Sequence, residues 1–543
     1  MFFKSIFLNF SSIFYQLIRN IRNIYLNSPI YNKKISKTDD KTIIYKPSQN
    51  ILNSLIKFNK KKFNIDDFSL NSIWKNSDNL NEKNFKKLHS FFWLFTLDLK
   101  SSQKVTQNVI YNWIEENDKY KKQIWDLDIL SKRIISWISN SKLTYENAET
   151  RYRIDFNALI KKQTNHLINE ISRSEKLDDK MIGSAAIILV GLAYADNYYL
   201  KFGIDLLRKL LDFSLDASGF PKSRNLRQLV FYLKYLIIIR EFLKESQTNI
   251  PDFLNERIFY MGKSYNLLCS NKKQGILFNG NFEDTNREFD NYLNFNKYKF
   301  KEDVNEAGGY LIFSNKKSSI AIDIGNAPDK KFSRDYQAGL FSFEFSYLGE
   351  KVITNSGYFQ NYKHRLNSIS KSTATHSTLA LNNTSSVRFE KNSSGYLVVK
   401  KNFKILEKEI KSEKNFYFIK ASHDAYSKSY GVIHERQLYF NHNEFTLRGC
   451  DKLIKTKNFR PSNFEIRFHL LPRINLTKLL NSESILIESS NAGWKFTCKN
   501  FKIDIETGLY FGIKNKYLEN KNIILTGSTH PEEQEIFWEI SKV

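Results

Sequence analysis

From about Asn84 to Ser246 the apolar residues return at helical spacing: Trp113 and Ile114; Ile124, Trp125, Leu127 and Leu130; Ile134, Ile135, Trp137 and Ile138. Residues three and four apart stack on one face of an α-helix, so this half predicts stacked helices. Proline is nearly absent, and Met181–Tyr194, Tyr198–Phe213 and Asn225–Lys244 are each long enough for a helix. The turn Asp216-Ala217-Ser218-Gly219-Phe220-Pro221 separates the last two, which predicts an array of antiparallel helical hairpins.

After about Gly308 the pattern changes to short alternating runs such as Gly309–Phe313, Ser319–Asp323 and Ser342–Ser346, broken by Gly, Asn and Lys turns. Alternation puts successive side chains on opposite faces of a strand, and this half predicts an all-β sandwich. Between the two, Asn271–Asn305 is rich in Lys, Asn, Glu and Asp and predicts a connecting region. A chain of 543 residues exceeds the ~250–300 at which one hydrophobic core stops growing. The expected organisation is therefore an N-terminal extension with leading helices (1–83), a helical domain (84–270), the connection (271–305) and a β-domain (306–543).

Composition narrows the function classes. A hydrophobic fraction of 41%, with 44 Phe and 29 Tyr, fills folded cores and excludes wholesale disorder. The net charge of +26 suits a polyanionic partner, but Lys is spread along the whole chain together with Asn, Ile and Phe, as a compositional bias of the coding sequence would produce. No dense basic run and no nucleic-acid motif is present, so nucleic acid is not expected as a partner. Cys269, Cys450 and Cys498 lie far apart and form neither a disulfide framework nor a CxxC pair. At the N-terminus, Ser5–Ile18 is the longest uncharged stretch, too short and polar for a stable membrane span. As a signal-peptide core it would be weak, with no small-residue cleavage site before Asn27-Ser28-Pro29, and the reading preferred is an amphipathic helix, lying on a surface or packed.

Specific strings in the second half then carry a resemblance. They are Gln337-Ala338-Gly339-Leu340-Phe341-Ser342-Phe343-Glu344, Thr354-Asn355-Ser356-Gly357-Tyr358, Ser372-Thr373-Ala374-Thr375-His376-Ser377-Thr378-Leu379, His423-Asp424-Ala425-Tyr426 with Gly431 and His434, Ile466–Pro472, and Gly493-Trp494. With Leu88–Leu94, Trp113-Ile114 and Gly219–Asn225 in the first half, the chain resembles the heparinase II/III polysaccharide lyases, in an uncharacterised bacterial branch. The resemblance implies an incomplete (α/α) toroid followed by an antiparallel β-sandwich.

It also implies a chemistry. Such lyases remove the C5 proton of a uronate and expel the O4 leaving group; one residue neutralises the carboxylate, and Tyr and His share the base and acid roles. On the helical side, Asn165 and His166 match a pair that contacts the substrate carboxylate in relatives; a buried helix histidine is the alternative. Arg224 matches an arginine that follows an Asp-Gly turn, but Gln228 stands where relatives place the base Tyr one turn later. Gln cannot accept a proton at neutral pH, which leaves Tyr232 or Tyr235 to swing in. On the β side, Tyr358, Tyr362, His364 and Arg365 match a cleft-facing loop, with Tyr362 the preferred acid or base and His376 a second catalytic candidate. Packing roles compete for every one of these residues, and more strongly for His423, Asp424, Tyr426, His434, Arg436, Arg467 and His469, which alternation places on strands.

Relatives with a structural zinc carry His-x-His, Asp and His where this chain has Asp335, Gln337, Asn355 and His376; one retained ligand predicts no metal, and no cofactor is implied. Two functions follow from the resemblance: β-elimination of an acidic, uronate-containing glycan, or a catalytically degenerate glycan-binding or scaffold protein of envelope polysaccharide metabolism. The partner implied is an acidic polysaccharide, in the cell envelope or periplasm by substrate class, with the cytoplasm and the oligomeric state left open.

Overall fold

The structure, a computed structural model, describes residues 17–55, 74, 77–97, 102–270, 272–301, 305–479 and 483–543. Most of the Ser5–Ile18 stretch, and with it any signal-peptide core, lies outside the described residues. The chain divides into two contact units, one running to Ser214 and resuming over Phe231–Ile258, the other comprising Leu215–Val230 and Phe259–Val543.

The first unit is helical. Gln103–Asn117, Leu127–Ser139, Thr150–Glu170, Leu177–Ala193 and Asn197–Ser214 are its main helices, and Leu226–Glu245 and Asp252–Leu268 extend into it. Their starts carry side-chain acceptors for free backbone N–H groups: Ser102 accepts from Val105 and Asp126 from Asp128. The hairpin of Leu177–Ala193 and Asn197–Ser214 closes tightly at glycines. A Cβ on Gly191 would stand 2.5 Å from the Leu200 nitrogen, and one on Gly203 would stand 2.7 Å from Ile188. Phe91, Trp113 and Trp137 meet edge to face at 5.1–5.7 Å in the core. The buried Arg133 guanidinium lies over Trp113 and donates to the carbonyls of His89 and Ile124 and to Gln163.

In the second unit the connection before the strands holds a helix, Arg287–Phe295, whose Asp290 accepts from Tyr265. The alternation then resolves into antiparallel sheets. A five-stranded meander runs from Glu306 to Ile353. Four strands pair in the order Lys502–Tyr510, Leu518–Ser528, Asn463–His469, Leu379–Leu381. Eight pair in the order Asn475–Lys478, Ser484–Glu488, Gly493–Cys498, Gln534–Lys542, Thr446–Lys455, Val432–Asn441, Phe416–His423, Ile405–Ser412.

One contiguous core joins these sheets, with Phe343 stacked on Trp538 at 5.5 Å and Phe468 against both. Gly449 is paired across the ladder with Trp538, and a Cβ there would stand 2.0 Å from the indole. Truncating Trp538 to Ala would cost ~3–5 kcal/mol.

Under that core the strand histidines form a network. His423 Nδ1 accepts from the Ala425 N–H, so its Nε2 carries the proton donated to His434 Nδ1 at 3.2 Å; His434 Nε2 then donates to Asp451 at 2.7 Å. Arg436 grips the same carboxylate twice and Trp538 donates to it. Both histidines are buried, and burial holds each below its ordinary titration range, so both are neutral. His423, His434 and Arg436 are thus interior cross-links.

Candidate functional site

Asn165 and His166 sit on the Thr150–Glu170 helix of the first unit. Asn165 spends its amide on the chain itself, donating to the Ile35 and Lys37 carbonyls and accepting from Tyr199. His166 is 2% exposed, hydrogen-bonded through Nδ1 to Tyr31 at 2.8 Å and walled by Tyr120 and Trp125. Burial pulls its pKa down to about 3, with Arg22 adding to the effect, so the imidazole is neutral and sealed from solvent. Of the two readings of His166, a residue acting on substrate and a buried helix histidine, the surroundings are those of the second: its Nδ1 meets an interior tyrosine 135 residues away in sequence.

Arg224, another candidate of the first half, also faces inward. Its five N–H donors all have partners inside the second unit: Nε to Gly308, Nη1 to Gly325 and Asn326, and Nη2 to Gly309 and to Asp323 at 2.6 Å. With the guanidinium lying over Tyr310, no donor remains for a substrate carboxylate. Gln228 accepts from Ser223, while Tyr232 and Tyr235, at 0% and 4% exposure, are core residues and supply no surface base.

The loop Tyr358–Arg365 gathers four of the candidates. Tyr358 is buried and donates to Asp335 at 3.1 Å; burial, then the Asp335 charge, raise its pKa and keep the phenol protonated. Asp335 is a hub that also accepts from Arg334 and Asn225 and faces Arg227 at 3.9 Å. Burial alone would raise this carboxyl, but Arg334 and Arg227 outweigh it and hold it below the usual carboxylate range.

Beyond Tyr358 the chain turns outward. Asn367 donates to the Phe359 carbonyl, and Asn361 accepts from the Lys363 N–H. His364 caps the helix Arg365–Ser370, its Nδ1 accepting from the Leu366 N–H at 3.2 Å, so a neutral His364 carries its proton on Nε2. Arg365 is exposed and makes no ion pair among the described residues.

Tyr362 is 37% exposed and packs on Tyr396, ring centroids 4.2 Å apart and planes 36° apart. The Arg334 guanidinium stands 5.3 Å from the Tyr396 ring, and Lys363 stands 5.9 Å from that of Tyr362. Lys371, buried, holds the Arg334 and Leu397 carbonyls, and burial draws its pKa down to about 8. Tyr396, Arg334 and Arg227 were not singled out from the sequence. Tyr396 closes the Asn392–Tyr396 turn of a two-stranded hairpin, and no local signal links it to Tyr362.

His376 is 1% exposed; its Nδ1 lies 2.9 Å from the Ser372 carbonyl, burial lowers its pKa to about 4, and its Nε2 is buried without a hydrogen-bond partner among the described residues. The ring is also covered by backbone, since a Cβ on Gly339 would stand 2.5 Å from its Cδ2. The Gln337 amide donates to the Gly357 and Ser370 carbonyls and accepts from the Gly280 N–H, and Asn355 Oδ1 accepts from Ser377. A zinc ion therefore does not fit this donor set: both carboxamide oxygens already accept backbone N–H groups. Among the described residues no cluster of three His, Cys, Asp or Glu could hold a metal. Gln337 ties together with hydrogen bonds the three segments it touches.

Residues 303–539 match the family model described as Heparinase II/III-like, C-terminal. The fold extends the likeness over the whole chain. Heparan sulfate lyase HepC from Pedobacter heparinus, in a mutant crystal structure, is 12% identical with a TM-score of 0.66, covering 95% of this chain and 84% of its own. A heparinase III crystal structure is 13% identical with a TM-score of 0.65, over 94% and 89%. No curated protein matches the chain in sequence at a significant level. Residues 303–539 thus match the heparinase II/III-like C-terminal family, and the chain shares the fold of the heparinase III structures, helices of the (α/α) toroid type followed by antiparallel β-sheets.

Proposed function

We propose that the protein binds an acidic, uronate-containing polysaccharide at the Tyr358–Arg365 loop and cleaves it by β-elimination. The observation that carries the reading is the Tyr362–Tyr396 ring pair, half open to solvent and edged by Arg334 and Lys363, with the exposed His364 and Arg365 next along the chain. Aromatic faces accept the apolar side of a sugar ring, and cations beside them select carboxylate-bearing sugars. In this reading His364 Nε2–H and Arg365 bind the uronate carboxylate, which acidifies the C5 proton. Tyr362 Oη acts as the base that takes that proton; the C4–O bond breaks, a C4–C5 double bond forms, and the phenol so formed returns the proton to the departing O4. Tyr358, buried and tied to Asp335, positions the loop.

A second reading, a glycan-binding protein without turnover, is favoured by the sealed His166 and by Gln228 in place of a base. The experiment follows the ultraviolet absorbance of the new double bond on incubation with uronate polysaccharides. A rise abolished by Tyr362→Phe supports elimination; no rise, with retained glycan binding that Tyr396→Ala weakens, supports the second reading; neither absorbance nor binding overturns both.

A further inference from the structure

The helix formed by residues 17–26 is amphipathic in the inverted sense. Its packed side is polar or mixed: Arg22 pairs with Glu170 of the Thr150–Glu170 helix and Leu26 is buried. Its outer side is aliphatic, with Leu17 56% exposed, Ile18 48%, Ile21 59% and Ile24 71%. Successive residues advance about 100° around a helix, so Leu17, Ile21 and Ile24 fall within about 60°, Ile18 borders them, and Arg22 and Leu26 lie roughly opposite. The next helix, Pro29–Ile35, repeats the arrangement: Ile30 is 75% exposed, with Lys33 and Lys34 three and four positions on and therefore on the same face. Five exposed aliphatic side chains within 14 residues make a patch that a soluble surface does not leave uncovered without a purpose.

Charge says what covers it. Residues 17–38 contain Arg19, Arg22, Lys33, Lys34 and Lys37 and no acidic residue; the first acidic residue of the chain is Asp39. Arg22 is spent on Glu170, while Arg19, Lys33 and Lys37 are exposed and make no ion pair among the described residues. A second copy docked face to face would set these cations against their own images. A lipid surface with anionic headgroups offers an acyl boundary for the isoleucines and counter-charge for the cations.

We propose that residues 17–37 are an interfacial anchor that lays the protein on an anionic membrane surface without crossing it. Among the described residues no helix is long and apolar enough to cross a membrane, which fits an anchor that rests in the interface. Burying an isoleucine in the interface is worth about tenfold in partitioning, so replacing two of them should cost on the order of a hundredfold.

The test is flotation of the full chain with vesicles of phosphatidylcholine alone or mixed with phosphatidylglycerol, beside the Ile21→Glu/Ile24→Glu double variant. Both substituted side chains face solvent, and an unchanged melting temperature confirms the fold. Co-flotation with the mixed vesicles only, weakened by salt and lost in the variant, supports the anchor. No co-flotation, or co-flotation that the variant retains, overturns it, as does a dimer in solution that the variant dissolves while vesicles bind neither protein.

Discussion

Lowering the pH from 8 to 5 should strip stability from both units through buried neutral histidines. His89, His166 and His469 are pulled down to about 3 and His376 to about 4, burial being the first cause in each. A histidine depressed in the folded state stays neutral there while the unfolded chain protonates it near pH 6.5, so its contribution is intact above that value and falls as pH drops below it. At pH 5 each such group costs about 2 kcal/mol, from about 1.5 pH units at ~1.4 kcal/mol each.

His89 and His166 belong to the first unit, His376 and His469 to the second, so each unit loses roughly 4 kcal/mol of a domain stability on the order of 5–15. Asp179 in the first unit runs the other way. Its buried carboxyl is pushed up to about 6, and its relief on protonation returns about 1 kcal/mol by pH 5. The second unit has a raised carboxyl of its own, the buried Asp323, but adds His423 and His434 to its depressed histidines, so it is the more acid-labile.

Urea unfolding at a series of pH values, read by far-ultraviolet circular dichroism for the helices and sheets separately, should show the β-signal moving first. Unfolding at pH 5 should take up roughly three to five protons. A stability flat to within about 1 kcal/mol across this range, or net proton release on unfolding, would refute the reasoning.

Arg224→Ala should cost ~3–5 kcal/mol, because Asp323 stays buried without a counter-charge, and Arg224→Met with Asp323→Leu should recover most of it; thermal melts of the three variants check this. Dialysis against a chelator should leave the melting temperature and the elemental analysis unchanged, since Gln337 and Asn355 spend their side chains on hydrogen bonds. Tyr396→Ala should weaken binding of a uronate oligosaccharide by about tenfold, ~1 kcal/mol of stacking, with the fold intact by circular dichroism.

Much of the architecture was legible in the chain because periodicity is a local property: Leu177–Ala193, Asn197–Ser214 and Leu226–Glu245 fall where the apolar spacing places helices, and Tyr310–Ser314, Ser318–Asp323 and Phe343–Tyr347 where alternation places strands. The site was less legible because burial is set by partners remote in sequence. His166 is closed off by Tyr31, Arg224 is consumed by Asp323 across 99 residues, and Tyr396 reaches Tyr362 from a separate hairpin. The Asn-His pair and the Asp-Gly-Arg pattern name residue types, and the same types serve a packed interior. The Gln228 and zinc-position substitutions, by contrast, were readable at once, because what a carboxamide can and cannot do does not depend on its surroundings.

The segment Leu215–Val230 leaves the helical unit, lends Arg224, Asn225 and Arg227 to the β-unit, and returns. A boundary drawn where the family match begins, at residue 303, is thus a boundary of homology and not of folding. A fragment cut there would bury Asp323 with no cation and leave the carbonyls of Gly308, Gly309, Gly325 and Asn326 without their donor. On the ribosome the segment emerges long before the strands it must join, so the β-unit waits for a piece already made while the helical unit must close around a loop it cannot keep.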